Sequence, residues 1–299
     1  MKPFLKKILL YIVVPIVTCH LLFFLAYKLI SLQVDDRLRE IARKNSILIM
    51  GDSQMQKFSP DLIDGDVENV ASPGEHYFVT YSKLRKMLAA KDHKIRTILL
   101  GVSLHNFSPD FISHFDPDHA EGKFTVQHGM FFFDLFANEF IQPHQLILDK
   151  NFFLGVIKGP VWGHEVFIHQ NPDTVLVDWE LKYMFDGPFK ANLSQAQPFY
   201  LEKIVGLCEQ ENISLVFISA PVHQYYKSHV DPVYYQTLQK VVSDHGNLPY
   251  VNFLNDSTKS IYMNDSNHLN KEGAEAYTRK INLELKSHKG SYGVHTAGN

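Results

Sequence analysis

Ser46-Ile47-Leu48-Ile49-Met50-Gly51-Asp52-Ser53 sets an uninterrupted apolar run directly against a glycine, an aspartate and a serine. A short apolar run with no polar alternation, closed by a glycine, reads as a strand buried on both faces. The same grammar recurs on either side of a helical pattern. Val67 to Ala71 is a second strand, ended by Ser72-Pro73-Gly74. Tyr77 to Ala90 has helical spacing, with Tyr77, Tyr81, Leu84 and Leu88 on one face. Ile95 to Leu100 is a third strand, closed by Gly101.

Further along, Pro198 to Gln210 reads as a helix, Ile213 to Ser219 as a strand and Pro232 to Asp244 as a helix. Tyr250 to Leu254 is a fifth strand and Lys271 to Lys286 a closing helix. Strands alternating with helices predict an α/β domain, residues 46–289, with a largely parallel sheet and helices on both faces. Residues 111–195 break the alternation. They are rich in aromatics (Phe131, Phe132, Phe133, Phe136, Trp162, Trp179) and punctuated by Pro143, Pro160 and Pro172, which predicts a helical insertion. Residues 290–299 are expected to be a disordered tail.

Upstream of the domain, Ile8 to Tyr27 is almost purely apolar, and that character continues to Leu32 with Lys28 as its one charge. About 20 such residues cross a bilayer as a helix. Lys2, Lys6 and Lys7 precede the run and Asp35 and Asp36 follow it, so the N-terminus is expected in the cytoplasm. The run is long for a cleaved signal and lacks an Ala-x-Ala site. Residues 1–33 are thus expected to be a cytoplasmic tip and single transmembrane helix, and residues 34–45 a charged, helix-compatible stalk. The expected location is the cell membrane, with the domain on the extracytoplasmic, periplasmic side.

A formal net charge of −3 over 299 residues, with scattered basic residues, argues against a nucleic-acid partner. Cys19 and Cys208 are far apart in the predicted organisation, so no disulfide is expected. Of the 16 histidines, none stands in a set with metal-ligand spacing. Neither a metal nor a cofactor is expected.

Two stretches carry chemistry. Ser53 follows the first strand directly, and in a parallel sheet active sites collect at the carboxyl ends of strands. Asp265-Ser266-Asn267-His268 precedes the closing helix, at a spacing that lets the carboxylate accept from imidazole Nδ1 and leaves Nε2 free as a base. Asp116-Pro117-Asp118-His119 has the same spacing but falls at the start of the insertion. The position after the last strand favours Asp265 and His268.

With Gly51-Asp52-Ser53 early, Asn69-Val70-Ala71-Ser72-Pro73-Gly74 next and Asp265-x-x-His268 late, the chain resembles the SGNH/GDSL hydrolase family. The resemblance implies a flavodoxin-like three-layer sandwich with strand order 2-1-3-4-5. It implies Ser53 as nucleophile, His268 as base and Asp265 as its orienting carboxylate, with the N–H groups of Ser53 and Gly74 in the oxyanion hole. The family's third block, Gly-x-Asn-Asp, is replaced here by Gly101-Val102-Ser103-Leu104-His105-Asn106. Ser103 stands in register with the family's asparagine, and Asn106 fills the role if the turn is longer. The implied activity is that of a serine esterase or O-acyltransferase acting on acyl esters, such as acetyl esters, of an envelope or surface polysaccharide. Its partners would be an acylated glycan or other ester, the membrane, and a membrane protein that donates the acyl group. The alternative is a non-catalytic member of the same fold that binds glycan or scaffolds a membrane complex. His76 and His105 lie near the second and third blocks and read as loop histidines before pocket residues.

Overall fold

In the computed structural model of the protein, the described residues are 2–108, 193–256 and 258–287, with positions 131, 162–165, 177, 178, 181, 182 and 185. Apart from those few positions, the expected insertion lies outside the described residues. So do Asp116, His119 and the expected tail.

Five strands form one parallel sheet in the order β2-β1-β3-β4-β5, as expected. They are β1 (Ile47–Met50), β2 (Val67–Asn69), β3 (Thr97–Gly101), β4 (Ser214–Ser219) and β5 (Tyr250–Asn252). The pairing Leu48 with Glu68 on one side and with Ile98 on the other places β1 inside the sheet. Alternate residues of each strand enter opposite cores. Leu48, Met50, Ile98, Leu100, Leu215 and Phe217 belong to one, and Ile47, Ile49, Leu99, Val216, Ile218 and Val251 to the other. Both faces are therefore covered, which is why the strands read as continuous apolar runs.

The first core is roofed by α2 (Val14–Lys44), α3 (Tyr77–Leu88), α4 (Ala196–Gln210), α5 (Gln224–His229) and α6 (Pro232–Asp244). The second is closed by α7 (Lys271–Ser287), through Ala274, Tyr277, Ile281 and Leu285. The short helix α5 was not anticipated from the sequence. Its six residues, Gln-Tyr-Tyr-Lys-Ser-His, complete too few turns to leave a periodic signal. Several observed strand ends fall one or two residues inside the expected ones; past the end of β2 the Val70 N–H still donates to the Ile49 carbonyl at 2.9 Å, and Ala71 is buried beside it.

At the N-terminus, α1 (Lys2–Ile8) and a π-helical turn (Leu9–Val13) lead into α2. The run Lys6–Lys44 is long and apolar enough to cross a membrane by length and composition, and its most apolar window is not buried in protein. Residues 34–44, expected as a stalk, are the last turns of this same helix. Val34, Leu38, Ile41 and Ala42 form a stripe buried in the first core, at the spacing that places them on one helix face. Lys86 of α3 adds an ion pair with Asp35 at 2.9 Å. The helix that leaves the domain is thus also one of its structural helices.

Leu38 is fully buried, so Leu38→Ala should cost about 2–5 kcal/mol through lost burial and the cavity left behind. Equilibrium unfolding of the full chain in detergent measures it. A loss within experimental error would mean that this part of α2 is not packed on the domain.

Candidate active site

The turn after β1 is built around Gly51. Its φ of +129° is a conformation L side chains rarely adopt, and an added Cβ would stand 3.3 Å from the backbone nitrogen of Gly101. The turn presents Ser53, which is part-exposed, and turns Asp52 into the protein. Asp52 Oδ1 accepts from the Gln54 N–H at 2.9 Å. Its Oδ2 accepts from His105 Nε2 and from Asn106 Nδ2, each at 2.9 Å. Burial raises the Asp52 carboxyl pKa. The charge and hydrogen bond of His105, with the bonds from Gln54 and Asn106, outweigh it and hold the group below its ordinary value. Asp52 is therefore a buried carboxylate with its donors in place.

The loop before α7 brings the last block to Ser53. Asn264 N–H donates to His268 C=O, and Met263 and Leu269 form an antiparallel bridge, which closes the loop on itself. Asp265 Oδ1 accepts from the N–H groups of Asn267 (3.1 Å) and His268 (2.8 Å). His268 Nδ1 lies 2.9 Å from both carboxylate oxygens, and its Nε2 lies 2.7 Å from Ser53 Oγ. Burial pushes the Asp265 carboxyl up, but the charge and hydrogen bond of His268 and the two N–H bonds prevail and bring it down to about 2. Asp265 is then ionised at neutral pH and accepts the Nδ1 proton, which leaves Nε2 directed at the serine hydroxyl.

The third block is tied inward. Ser103 N–H donates to Asn106 Oδ1 at 2.7 Å, and Ser103 Oγ donates to Gln54 Oε1 at 2.6 Å. Gln54 in turn donates to the Asn267 carbonyl at 3.0 Å. The one proton of the Ser103 hydroxyl is spent on Gln54, so that side chain links the third block to the first and, through Gln54, to the last. Asn106 gives one amide hydrogen to Asp52 and, among the described residues, keeps its second. The Tyr77 hydroxyl reaches the Gly101 carbonyl (2.9 Å) and Asn106 Oδ1 (3.2 Å). His105, read from sequence as a loop histidine, is a buried partner of Asp52.

Gly74 occupies a tight turn with φ +60°, closed by Glu75 N–H on the Ser72 carbonyl at 3.2 Å. Ser72 N–H donates to the Gly51 carbonyl at 3.1 Å, which sets this turn beside the first. Beneath it lies a fully buried ion pair, Lys83 Nζ to Glu75 Oε2 at 2.6 Å. Lys83 also donates to Val70 C=O (2.8 Å) and Ser72 Oγ (3.0 Å), so all three of its protons are used. Glu75 additionally accepts from Ser72 Oγ and from Thr80 Oγ1, the latter at 2.7 Å. Burial pushes Lys83 down and Glu75 up, each opposed by the other's charge.

Residues 162–165 are seated on these loops. Gly163 N–H donates to Ala71 C=O (2.9 Å), Glu165 N–H to Gln56 C=O (3.1 Å) and Gln56 Nε2 to Gly163 C=O (3.1 Å). Glu165 Oε2 stands 3.8 Å from the buried Lys57 ammonium. Burial lowers Lys57 to about 8, against the charges of Glu165 and Asp265. Sequence reading passed over Asp52, Gln54, Lys57, Glu75 and Lys83. Asp52, Gln54 and Lys57 find side-chain partners 49 or more residues away, and Glu75 and Lys83, eight residues apart, match no spacing that marks a site. Among the described residues no group of three or more His, Cys, Asp or Glu could hold a metal ion.

The family described as DltD protein matches residues 199–283, a stretch that holds Asp265 and His268 but not Ser53. A search of curated proteins finds no match. A solved structure described as "a putative platelet activating factor from Streptococcus pneumonia" aligns over 92% of this chain and 98% of its own. The identity is 12% and the TM-score 0.44.

The Asp265 shift carries a pH dependence of stability. A carboxyl held near 2, against an ordinary value near 4, contributes about 2 kcal/mol that is fully present above the unfolded value. The contribution is lost as pH falls through the folded one. Asp265→Asn should therefore flatten the loss of stability between about pH 5 and pH 2, measured by urea unfolding in detergent. An unchanged slope would refute the depressed carboxyl.

Proposed function

We propose that this chain is a serine esterase or O-acyltransferase, anchored by α2 with its domain outside the cytoplasm, that acts on acyl esters of the cell envelope. The observation that carries the reading is the 2.7 Å approach of His268 Nε2 to Ser53 Oγ, with Nδ1 held by a carboxylate. Ser53 Oγ attacks the ester carbonyl while His268 takes its proton. Asp265 stabilises the imidazolium that forms. Collapse of the tetrahedral intermediate expels the alcohol, protonated by His268, and leaves an acyl-Ser53. Water or a second alcohol then attacks with His268 again as base. Water regenerates the serine with a free acid, and an alcohol regenerates it with a new ester.

The oxyanion is assigned to the backbone N–H groups of Ser53 and Gly74. Asn106 serves as the third donor in preference to Ser103, because its side chain has an amide hydrogen left. Removing one such donor typically costs about 3 kcal/mol in the transition state. The partial match to DltD, a family linked to D-alanylation of teichoic acids, supports an envelope polymer as the substrate. The lysines before the apolar run support the cytoplasmic placement of the N-terminus.

A fluorophosphonate probe should label Ser53 in the full-length protein, and Ser53→Ala should lose both labelling and turnover of a short-chain ester while melting as the wild type does. Silence of the wild type toward the probe would sink the catalytic reading in favour of a glycan-binding or scaffolding protein. Asn106→Ala should lower kcat about 100-fold, whereas Ser103→Ala acts only through the Gln54 tie and should cost less. The reverse order would return the oxyanion role to Ser103.

A further inference from the structure

The course of α2 fixes which end of the sheet lies nearest the bilayer. Its last turn is level with the amino ends of the strands: Lys94 N–H, just before β3, donates to the Ala42 carbonyl at 2.8 Å, and Arg43 pairs with Asp92 at 2.9 Å. Two turns earlier, a side chain of α2 reaches toward the opposite edge. The Arg37 guanidinium lies 5.2 Å from the Trp162 ring centroid, and the same ring lies 5.3 Å from Lys83 Nζ. Lys83 bonds to the carbonyl of Val70 just past β2, and Gly163, next to Trp162, bonds to Ala71. Followed backwards from Lys44, the helix thus runs along the sheet from the amino edge to the carboxyl edge and leaves on the side of Ser53, His268 and Gly74.

Tyr27 on the departing helix is still buried in the first core, with Phe23 and Ile30 packed against it, and the exposed apolar side chains beyond it are Leu25, Phe24, Leu22 and Leu21. From Arg37 to Leu25 is twelve residues and to Leu21 sixteen, or about 18 to 24 Å along the helix at about 1.5 Å per residue. A lipid head-group layer is roughly 5–8 Å thick. The space between site and bilayer is therefore shared by head groups, the protein that covers Tyr27 and a few sugar-sized units. A folded carrier domain, roughly 25 Å across, does not fit in it.

We infer that the carboxyl edge of the sheet faces the membrane and that Ser53 takes its acyl group from an ester carried on a lipid-anchored amphiphile in the same bilayer. The inference rests on the anchored acyl-transfer reading above, and its two parts are read separately. Placement is tested by labelling single cysteines at His164→Cys (carboxyl edge) and Lys91→Cys (amino edge), in a Cys19→Ala, Cys208→Ala background. The full chain is reconstituted in phosphatidylcholine vesicles containing a nitroxide-head-group lipid. Quenching should be strong at 164 and weak at 91. Equal quenching, or the reverse order, overturns the orientation whatever the chain's activity.

Substrate class is tested with one fluorogenic acetyl ester in two forms: free in solution, and attached to a phosphatidylethanolamine head group. With lipid ester in the enzyme's own vesicles, turnover should exceed that with ester in separate vesicles by about tenfold or more, the advantage of confinement. If the free ester is turned over and the lipid ester shows no preference, a membrane-embedded protein donor displaces the lipid. If neither ester is turned over by the wild type, it is the acyl-transfer reading that falls, while the quenching result stands by itself.

Discussion

A parallel strand cannot be closed by a hairpin and survives only where both of its faces are covered. β1, between β2 and β3, is therefore committed to a sheet with helices on each side before any functional residue is placed. Parallel pairing also gathers the carboxyl ends of all the strands at one edge. The loops after β1, β2 and β3 must meet there, and the order 2-1-3 makes them immediate neighbours around the point where the chain reverses direction across the sheet. Ser53, Gly74 and Asn106 are brought together by that pairing and by nothing local to any of them.

Proximity of loops does not hold them still, and here the holding is done by buried polar groups. Asp52 ties the first turn to His105 and Asn106, and Gln54 bridges the third block to the carbonyl of Asn267 in the last. Glu75 and Lys83 do the same for the second turn. Burying such groups is expensive, and a buried ion pair is seldom the most stable filling for its volume. What it does here is directional. Each carboxylate and ammonium has its donors or acceptors set at fixed angles on separate loops, so a shift in one loop leaves a buried group unsatisfied. An apolar filling would tolerate such a shift.

The fold was legible because its signals are local. Ile47–Met50, Thr97–Gly101 and Ser214–Ser219 each announce a doubly covered strand, and the helices between them keep their period. The pair Ser53 and His268 was legible for a different reason: its members stand at glycine- and helix-marked boundaries whose spatial meeting follows from the strand order. The supporting shell was not. Gln54 is close to Asn267 only in space, 213 residues apart in sequence, and His105 carries the same letter whether it is solvated or bound to a buried aspartate. Residues 34–44 were misjudged by their charges. A stripe of Val34, Leu38, Ile41 and Ala42 is enough to dock a helix, even with Asp35, Asp36, Arg37 and Glu40 on its other faces.

That docked stripe changes what an anchor does. A flexible stalk sets only a radius within which a domain wanders, and any edge of the domain can meet the bilayer. A helix continuous from the apolar run to Lys44, packed along the sheet for three turns, holds the apolar run in a fixed direction relative to the domain. Since the connection from helix to strand reverses the chain at Asn45, the helix must run antiparallel to β1, and it can leave only past the edge where β1 ends. The parallel topology that gathers Ser53, His268 and Gly74 at the carboxyl edge is therefore the same constraint that sends the apolar helix out past that edge.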